Sequence, residues 1–123
     1  MRQRRPTLHH WTVIHGHSAM LFIMMLARQY RQCEKNFKAG LYYEPMGRDL
    51  EGLKLGIVGF GASGLELARR AKAFGMQIMT IDIRTLEQEI LDAVQPIFVG
   101  SPDDLDQVIE ECDILSLHLH LNQ

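Results

Sequence analysis

Residues 53–64 read Leu-Lys-Leu-Gly-Ile-Val-Gly-Phe-Gly-Ala-Ser-Gly, a short apolar run that ends in three closely spaced glycines. Such a run, with glycine at its boundary, is typical of a strand buried on both faces of a parallel sheet. Apolar residues then recur at helical spacing from Leu65 to Phe74, and Gly75 stands where a helix would stop. The order predicted is therefore strand, glycine turn, helix.

A second predicted strand, residues 77–83, carries Asp82, which lies eighteen residues after Gly64. In this context Gly59 permits a tight turn, Gly61 lets a pyrophosphate approach the backbone, and Gly64 lets the helix pack closely on the sheet. An acidic residue at the end of the second strand accepts hydrogen bonds from a ribose diol and repels a 2′-phosphate. The pattern predicts a dinucleotide site that favours NAD over NADP, with a coincidental glycine turn as the alternative.

Arg84 complicates this cofactor preference, because a guanidinium two residues after the acid could reach a 2′-phosphate. We give this possibility less weight than the charge of Asp82. NAD is therefore the cofactor expected from the residues.

The rest of the chain continues the alternation, with a short polar helix predicted at 85–93, a strand at 96–99 and a strand at 112–119. Between the last two strands a helix is predicted to begin at Ser101. Its capping box and buried face are formed by Ser101, Pro102, Asp104, Leu105, Val108 and Ile109. The prediction is an α/β fold: a partial Rossmann-type, doubly wound sheet of about four parallel strands with flanking helices.

The N-terminal half is predicted to be less regular. Residues 1–15 have neither helical nor strand periodicity, so no fold is predicted for them. Residues 18–37 predict a long helix whose apolar start is buried nearly all round. A connecting loop is expected at 38–52, where three glycines and Pro45 fall together. The predicted domains are an unassigned segment, 1–17, and a Rossmann domain, 18–123, truncated at its C-terminal end.

Composition bounds the class of protein. With 123 residues, 46% of them hydrophobic and 23% charged, the chain predicts one ordinary globular domain and excludes a disordered tail, a fibrous repeat or a disulfide scaffold. Cys33 and Cys112 lie far apart, which favours a reducing, cytoplasmic compartment, although an organellar one stays open. The longest apolar run, 19–27, is too short to cross a bilayer. No membrane partner is expected.

Charge and histidine placement offer two further possibilities. Residues 1–50 carry a net charge of +5 and residues 51–123 a net charge of −7, so the Arg-rich start could contact nucleic acid or begin a transit peptide. A solvated leader is the preferred interpretation, and no nucleic-acid partner is expected. His118 and His120 share one face of an extended strand, but no third ligand has matching spacing, so no metal site is predicted.

A family resemblance is carried by the segments Leu-Glu-Gly-Leu-Lys-Leu-Gly-Ile-Val-Gly-Phe-Gly-Ala-Ser-Gly (50–64), Ala-Lys-Ala-Phe-Gly-Met (71–76), Asp82 and Cys-Asp-Ile-Leu-Ser-Leu-His-Leu (112–119). Together they resemble the NAD-binding domain of the D-isomer-specific 2-hydroxyacid dehydrogenases, which include phosphoglycerate, glycerate and formate dehydrogenases. The resemblance covers about residues 18–123, because the apolar helix also resembles the one that leads into this domain.

This resemblance implies residue roles. It places Ala62 and Ser63 at the turn that meets the pyrophosphate, Asp82 at the ribose, and His118 with Leu119 at the strand end beside the cofactor. Three departures affect individual contacts rather than the dinucleotide class. His120 stands where the family usually has proline, His17 where it usually has an acidic residue, and Ala62-Ser63 where it often has Arg-Ile.

The chemistry that the resemblance implies is hydride transfer between nicotinamide and a 2-hydroxy acid, in a full-length protein expected to be a homodimer. The family's catalytic arginine, glutamate and histidine follow the point where this sequence stops, so no catalytic residue is assigned. We therefore expect a fragment that is inactive alone. One alternative is a non-enzymatic, NAD-sensing module like the related corepressors. A methyltransferase fits less well, because Ile57 and Val58 stand where an acidic residue would precede its glycines.

Overall fold

The computed structural model describes residues 8–120, with side chains from residue 12 onward. The elements are α1 (Leu8–Ala27), α2 (Tyr30–Lys38), β1 (Lys54–Val58), α3 (Ala62–Ala73), β2 (Gln77–Ile81), α4 (Gln88–Val94), β3 (Phe98–Gly100), α5 (Leu105–Glu111) and β4 (Ile114–Leu117). A 3₁₀ turn, Pro102–Asp104, leads into α5. The predicted alternation of strands and helices from residue 53 onward is confirmed.

The four strands form one parallel sheet in the order β3-β2-β1-β4. Leu55 of β1 is level with Ile78 of β2 on one side and with Ile114 of β4 on the other. The chain therefore moves outward from β1 to β3 and then crosses back to place β4 on the opposite side of β1. This reversal is the doubly wound topology that the sequence predicts.

The two faces of the sheet are covered by different helices. Helices α1, α3 and α4 pack on one face, and the buried side chains of that core include Met20, Ile23, Leu55, Ile57, Leu67, Ile78 and Val94. Helix α5 covers the other face with a smaller cluster, Val58, Met79, Ile81 and Val108. The sheet thus forms the middle layer of a three-layer α/β fold. The strand order reverses between β1 and β4, so a crevice opens there at the carboxyl edge of the sheet.

Helix α3 approaches β1 closely enough that only glycine fits at residue 64. A Cβ built on Gly64 would lie 2.6 Å from the carbonyl oxygen of Gly59 and 3.3 Å from Ile57 Cγ2. The role that the sequence predicts for this glycine, close packing of helix on strand, agrees with that geometry.

Replacing Gly64 with alanine is expected to lower the free energy of unfolding by about 1–3 kcal/mol, because the backbone of α3 must move away from β1. Urea denaturation followed by circular dichroism measures the change. The matched control is Gly61→Ala, since a Cβ on Gly61 meets nothing nearer than Arg84 Nη2 at 3.8 Å. Equal stability of the two variants would contradict this account of the packing.

The assignment of no fold to residues 1–15 is wrong for residues 8–15, which form the first turns of α1. Residues 1–7 lie outside the described part. Local periodicity does not reveal these turns, because tertiary contacts stabilise them: α1 packs along α3, and Gly16 lets the two helices meet. A Cβ on Gly16 would lie 2.8 Å from Cβ of Glu66. Helix packing therefore outweighs the weak local periodicity of this segment.

The single helix predicted for 18–37 is also wrong, because the chain breaks between α1 and α2 at Gln29, which has φ 51° and ψ 50°. No glycine or proline marks this break. The loop after α2 folds back over it: Arg48 N–H donates to the Ala27 carbonyl at 2.8 Å, and a Cβ on Gly47 would lie 2.5 Å from the same oxygen. Long-range backbone contacts therefore end α1.

The apolar start of this helix is less enclosed than predicted. Met20 and Ile23 are buried, but Phe22 is 60% exposed and Leu26 is 70% exposed. Ile109, predicted to lie on a buried helical face, is half exposed. One face of each helix packs on the core, α1 chiefly against α3 and α5 against β1 and β2, and the other face points away from it.

Other local predictions agree with the structure or shift by a few residues. The capping box of Ser101 and Asp104 is present in full. Helix α4 begins at Gln88 rather than Thr85, and the side chain of Leu86 is buried in the core before the helix starts. Among the described residues, none of the helices has the length and hydropathy needed to cross a membrane.

Candidate functional site

The candidate site lies at the carboxyl ends of β1, β2 and β4, where the strand order reverses. All eight residues predicted to bind a cofactor follow one of these strand ends: Gly59, Gly61, Ala62, Ser63, Gly64, Asp82, His118 and Leu119. In open α/β sheets, ligands bind in the crevice at such a reversal. The topology therefore brings together residues that are up to 60 positions apart in the chain.

Gly59 makes the turn out of β1 and touches the end of β4. It has φ 86°, a conformation that residues other than glycine rarely adopt. A Cβ built there would collide with the carbonyl oxygen of His118. The Gly59 N–H donates to the Ile81 carbonyl at 2.8 Å, so the turn is anchored to β2 as well. Both neighbours of β1 thus fix the position of the glycine loop.

The next residues form the start of α3 and face open space. Gly61 is the N-cap, with an extended backbone and no side-chain cap, and Ala62 and Ser63 form the first helical positions. The N–H groups of a first helical turn have no partner inside the helix and carry partial positive charge. With no Cβ on Gly61, a phosphate can approach these groups closely, so this end of α3 fits a pyrophosphate.

Asp82 and Arg84 form an ion pair beside the loop. Asp82 Oδ2 accepts a hydrogen bond of 2.7 Å from Phe60 N–H, while the guanidinium of Arg84 contacts both carboxylate oxygens at 3.2 Å. Burial of Asp82 acts to raise its pKa, but hydrogen bonds from the Arg84 side chain and from the backbone N–H groups of Arg84 and Phe60 lower the pKa on balance. The carboxylate is ionised at neutral pH and already partnered.

The imidazole of His118 connects β4 to the glycine loop. Its Nδ1 lies 2.9 Å from Ser63 Oγ, and its Nε2 lies 2.9 Å from Ser116 Oγ. Burial lowers the pKa of His118, and the nearby His15 lowers it further. Leu119 follows with its side chain 64% exposed, and a Cβ on Gly59 would lie 3.0 Å from its Cδ2.

Beside this network, α1 and β4 enclose an open cleft of about 770 Å³. Its lining includes His15, Phe22 and Leu26 of α1 together with Gly61, Ser63 and His118. The sequence could have indicated Ser116, because it lies two residues before His118 on the same face of the strand. No feature of the sequence indicated that His15 would line this cleft.

The pKa of His118 predicts a pH dependence of stability. Because its pKa is lower in the folded chain than the ordinary value of 6.5, the unfolded chain binds more protons just below that pH. The contribution of His118 to the free energy of unfolding is thus fully present above about pH 6.5, and it is lost as the pH falls toward the pKa of His118 in the folded chain. Denaturation midpoints from pH 7.5 to 5 should fall more in the unmodified chain than in His118→Asn. Parallel curves would contradict the prediction.

The histidines do not form a metal centre in the described part of the chain. Within residues 12–120, no three side chains from His, Cys, Asp and Glu lie together in a way that could hold an ion. His120 is exposed, and both ring nitrogens of His118 already contact hydroxyl groups.

Comparison with known proteins agrees with the fold and identifies the family. Residues 20–123 match the family model described as the D-isomer specific 2-hydroxyacid dehydrogenase, NAD binding domain. A hydroxypyruvate reductase of Thermotoga maritima is 34% identical over 107 residues, and a glyoxylate reductase of Korarchaeum cryptofilum is 35% identical over 112 residues. Each alignment covers 85% of this chain but 32% of the relative. The chain thus spans about a third of these relatives' length.

Solved structures show the same architecture. A glyoxylate reductase from Paecilomyes thermophila superposes with a TM-score of 0.74 at 30% identity, covering 90% of this chain and 33% of that one. A formate dehydrogenase from Granulicella M. superposes with a TM-score of 0.80, covering 94% of this chain and 31% of that one. Its 24% identity supports the fold alone. The chain belongs to the D-isomer-specific 2-hydroxyacid dehydrogenase family and contains NAD-binding-domain sequence from residue 20 to residue 123.

Proposed function

We propose that this chain holds NAD(H) at the carboxyl edge of its sheet, where the glycine loop, Asp82 and the end of β4 converge. The convergence of these elements at the strand-order reversal is the observation that carries the proposal. Gly59, Gly61 and Gly64 shape the loop, and Ala62 and Ser63 meet the pyrophosphate. Asp82 binds the adenine-side ribose. His118 and Leu119 lie beside the cofactor at the strand end.

We propose further that the complete protein is an oxidoreductase that transfers hydride between NAD(H) and a 2-hydroxy or 2-oxo acid. The names of the relatives, hydroxypyruvate reductase and glyoxylate reductase, support this substrate class. When bound, NAD supplies the hydride acceptor or donor. The residues of this chain bind and orient it, and none of those described is assigned as a catalytic residue. His118 is a poor general base here, because both of its ring nitrogens are occupied by hydroxyl groups.

Fluorescence titration with NADH tests the cofactor proposal, and we expect saturable binding that NAD⁺ competes away. No binding would overturn it. For the polypeptide 1–123 by itself we expect binding without turnover of glyoxylate, hydroxypyruvate or pyruvate. Turnover that is lost in His118→Ala would show that this expectation is wrong. NADH binding without turnover in a complete protein would favour the NAD-sensing, corepressor-like alternative.

We propose that the complete protein is a homodimer that uses a surface formed by α2 and the loop after it. Phe37, Leu41, Tyr42, Tyr43 and Met46 are all more than half exposed there, with Tyr43 at 88%. A contiguous apolar patch of this kind marks an interaction site. Light scattering should give a dimer mass, and Tyr43→Lys should shift it toward the monomer. A monomeric unmodified protein would contradict the proposal.

A further inference from the structure

His118 lies between two hydroxyl groups that come from different elements. Ser63 Oγ is on the first turn of α3 and Ser116 Oγ is on β4, and each lies 2.9 Å from one ring nitrogen. A neutral imidazole has one N–H donor and one acceptor nitrogen. The three groups can therefore form a hydrogen-bonded chain that runs in only one of two directions.

The surroundings favour a neutral ring. The other titratable groups that line the described part of this cleft are His15 of α1 and His120 after β4, and no carboxylate, lysine or arginine lines it. Burial and the proximity of His15 both lower the pKa of His118. Near neutral pH the ring therefore has one donor and one acceptor, and its tautomer determines the direction of the chain.

The position of Ser63 determines which direction is useful. Its hydroxyl is on the helical turn that, in the proposed function, meets the pyrophosphate. A hydroxyl oxygen can accept one hydrogen bond while its own proton is donated elsewhere. If Nδ1 carries the ring proton, Ser63 accepts from His118 and keeps its O–H for an anion. If Nε2 carries the ring proton, the Ser63 O–H donates to Nδ1 and is not available to an anion.

We infer that Ser116 donates to Nε2 and so holds His118 as the Nδ1–H tautomer, which donates to Ser63 and leaves the Ser63 hydroxyl proton free for a cofactor phosphate. Ser63 is then a cofactor-binding residue, and His118 and Ser116 are positioning residues. This inference rests on the proposed function and adds to it a reason for serine at residue 63.

The tautomer can be measured without cofactor. Nitrogen-15 NMR of histidine-labelled chain at pH 7.5 should show His118 with its proton on Nδ1, and assignment is made by loss of the signal in His118→Asn. Ser116→Ala removes the donor to Nε2 and should give a mixture of tautomers. A proton on Nε2 in the unmodified chain would overturn the inference.

Binding to two probes locates the effect at the phosphates. ADP-ribose contains the pyrophosphate, whereas adenosine contains only the base and the ribose, of which Asp82 is proposed to bind the ribose. Ser63→Ala should weaken ADP-ribose binding about tenfold, the loss expected for one hydrogen bond to a charged group. Adenosine binding should change by less than about twofold. Ser63→Thr, which keeps the hydroxyl, is the conservative variant and should restore most of the affinity that Ser63→Ala loses.

Failure of this inference differs from failure of the proposed function. Loss of ADP-ribose binding in Ser63→Thr equal to that in Ser63→Ala, or an equal loss of adenosine binding, would assign Ser63 a purely structural role and overturn the inference alone. If the unmodified chain binds neither NADH nor ADP-ribose, the proposed function is wrong, and the role of Ser63 is wrong with it.

Discussion

Replacing Gly61 with valine is expected to weaken NADH binding more than a hundredfold while leaving the fold intact. Gly61 has φ −81° and ψ −159°, an extended conformation that β-branched residues adopt readily. A Cβ at this position contacts nothing closer than 3.8 Å, and that neighbour is the end of the flexible Arg84 side chain. The free energy of unfolding should therefore fall by no more than about 1 kcal/mol, the usual cost of an aliphatic residue at a helix N-cap.

The loss of binding follows from the space that the valine side chain would occupy. Its two methyl groups would stand over the first N–H groups of α3, where a pyrophosphate must come within hydrogen-bond distance of the backbone. Losing several charge-assisted hydrogen bonds together gives the large factor, since each contributes about 1.5–3 kcal/mol. Isothermal titration with NADH, beside urea denaturation, separates binding from folding.

Gly64→Ala is the matched control for Gly61→Val, because the two glycines are three residues apart but meet different neighbours. A Cβ on Gly64 lies 2.6 Å from the Gly59 carbonyl, so this variant should lose stability. If Gly61→Val bound NADH as tightly as the unmodified chain, the cofactor could not lie across this loop. The assignment of the site to the glycine turn would then be wrong.

The sequence predicted this part of the molecule well because the physical constraints there are local. A buried strand, a turn with positive φ at Gly59 and a helix that must touch the sheet at Gly64 all fall within a dozen residues. The spacing to Asp82 follows from the length of one helix and one strand. That Asp82 lies beside the glycine loop follows from this spacing, but the hydrogen bond from Phe60 N–H to Asp82 Oδ2 was not predicted.

The features that were missed depend on contacts between distant segments. The left-handed residue that ends α1 is Gln29, and the reason lies in the return of the chain at Gly47 and Arg48. The Ser63–His118 contact joins residues 55 positions apart, and nothing in the local pattern orients the imidazole. Sequence periodicity reports which face of an element is buried, but not which side chains meet across elements.

Replacing Asp82 with alanine is expected to narrow the preference for NADH over NADPH about a hundredfold. The carboxylate side chain is only 6% exposed and is held by Phe60 N–H and Arg84, so it presents a fixed negative charge beside the loop. Its removal deletes the acceptor for the ribose hydroxyls and the charge that repels a 2′-phosphate. NADH affinity should fall about tenfold and NADPH affinity should rise by a similar factor.

Arg84 adds to the rise in NADPH affinity, because its guanidinium loses the Asp82 carboxylate as a partner. In the unmodified chain, Nε and Nη2 of Arg84 are both bound to Asp82, which limits what they offer to a phosphate. Without Asp82, the guanidinium is free to pair with a 2′-phosphate in a bidentate manner. The double variant Asp82→Ala, Arg84→Ala should therefore lose the part of the gain in NADPH affinity that Arg84 supplies, and keep the loss in NADH affinity.

Two controls separate cofactor recognition from folding. Asp82→Asn keeps an acceptor for the Phe60 N–H, so it tests the charge with less effect on the loop. Asp92→Ala removes one negative charge from an exposed position on α4, where the carboxylate accepts from Gln88, and should leave both affinities unchanged. Parallel fluorescence titrations with NADH and NADPH measure all the variants. Equal affinity of the unmodified chain for the two cofactors would show that Arg84 already neutralises Asp82, and that the ion pair rather than the carboxylate sets the cofactor preference.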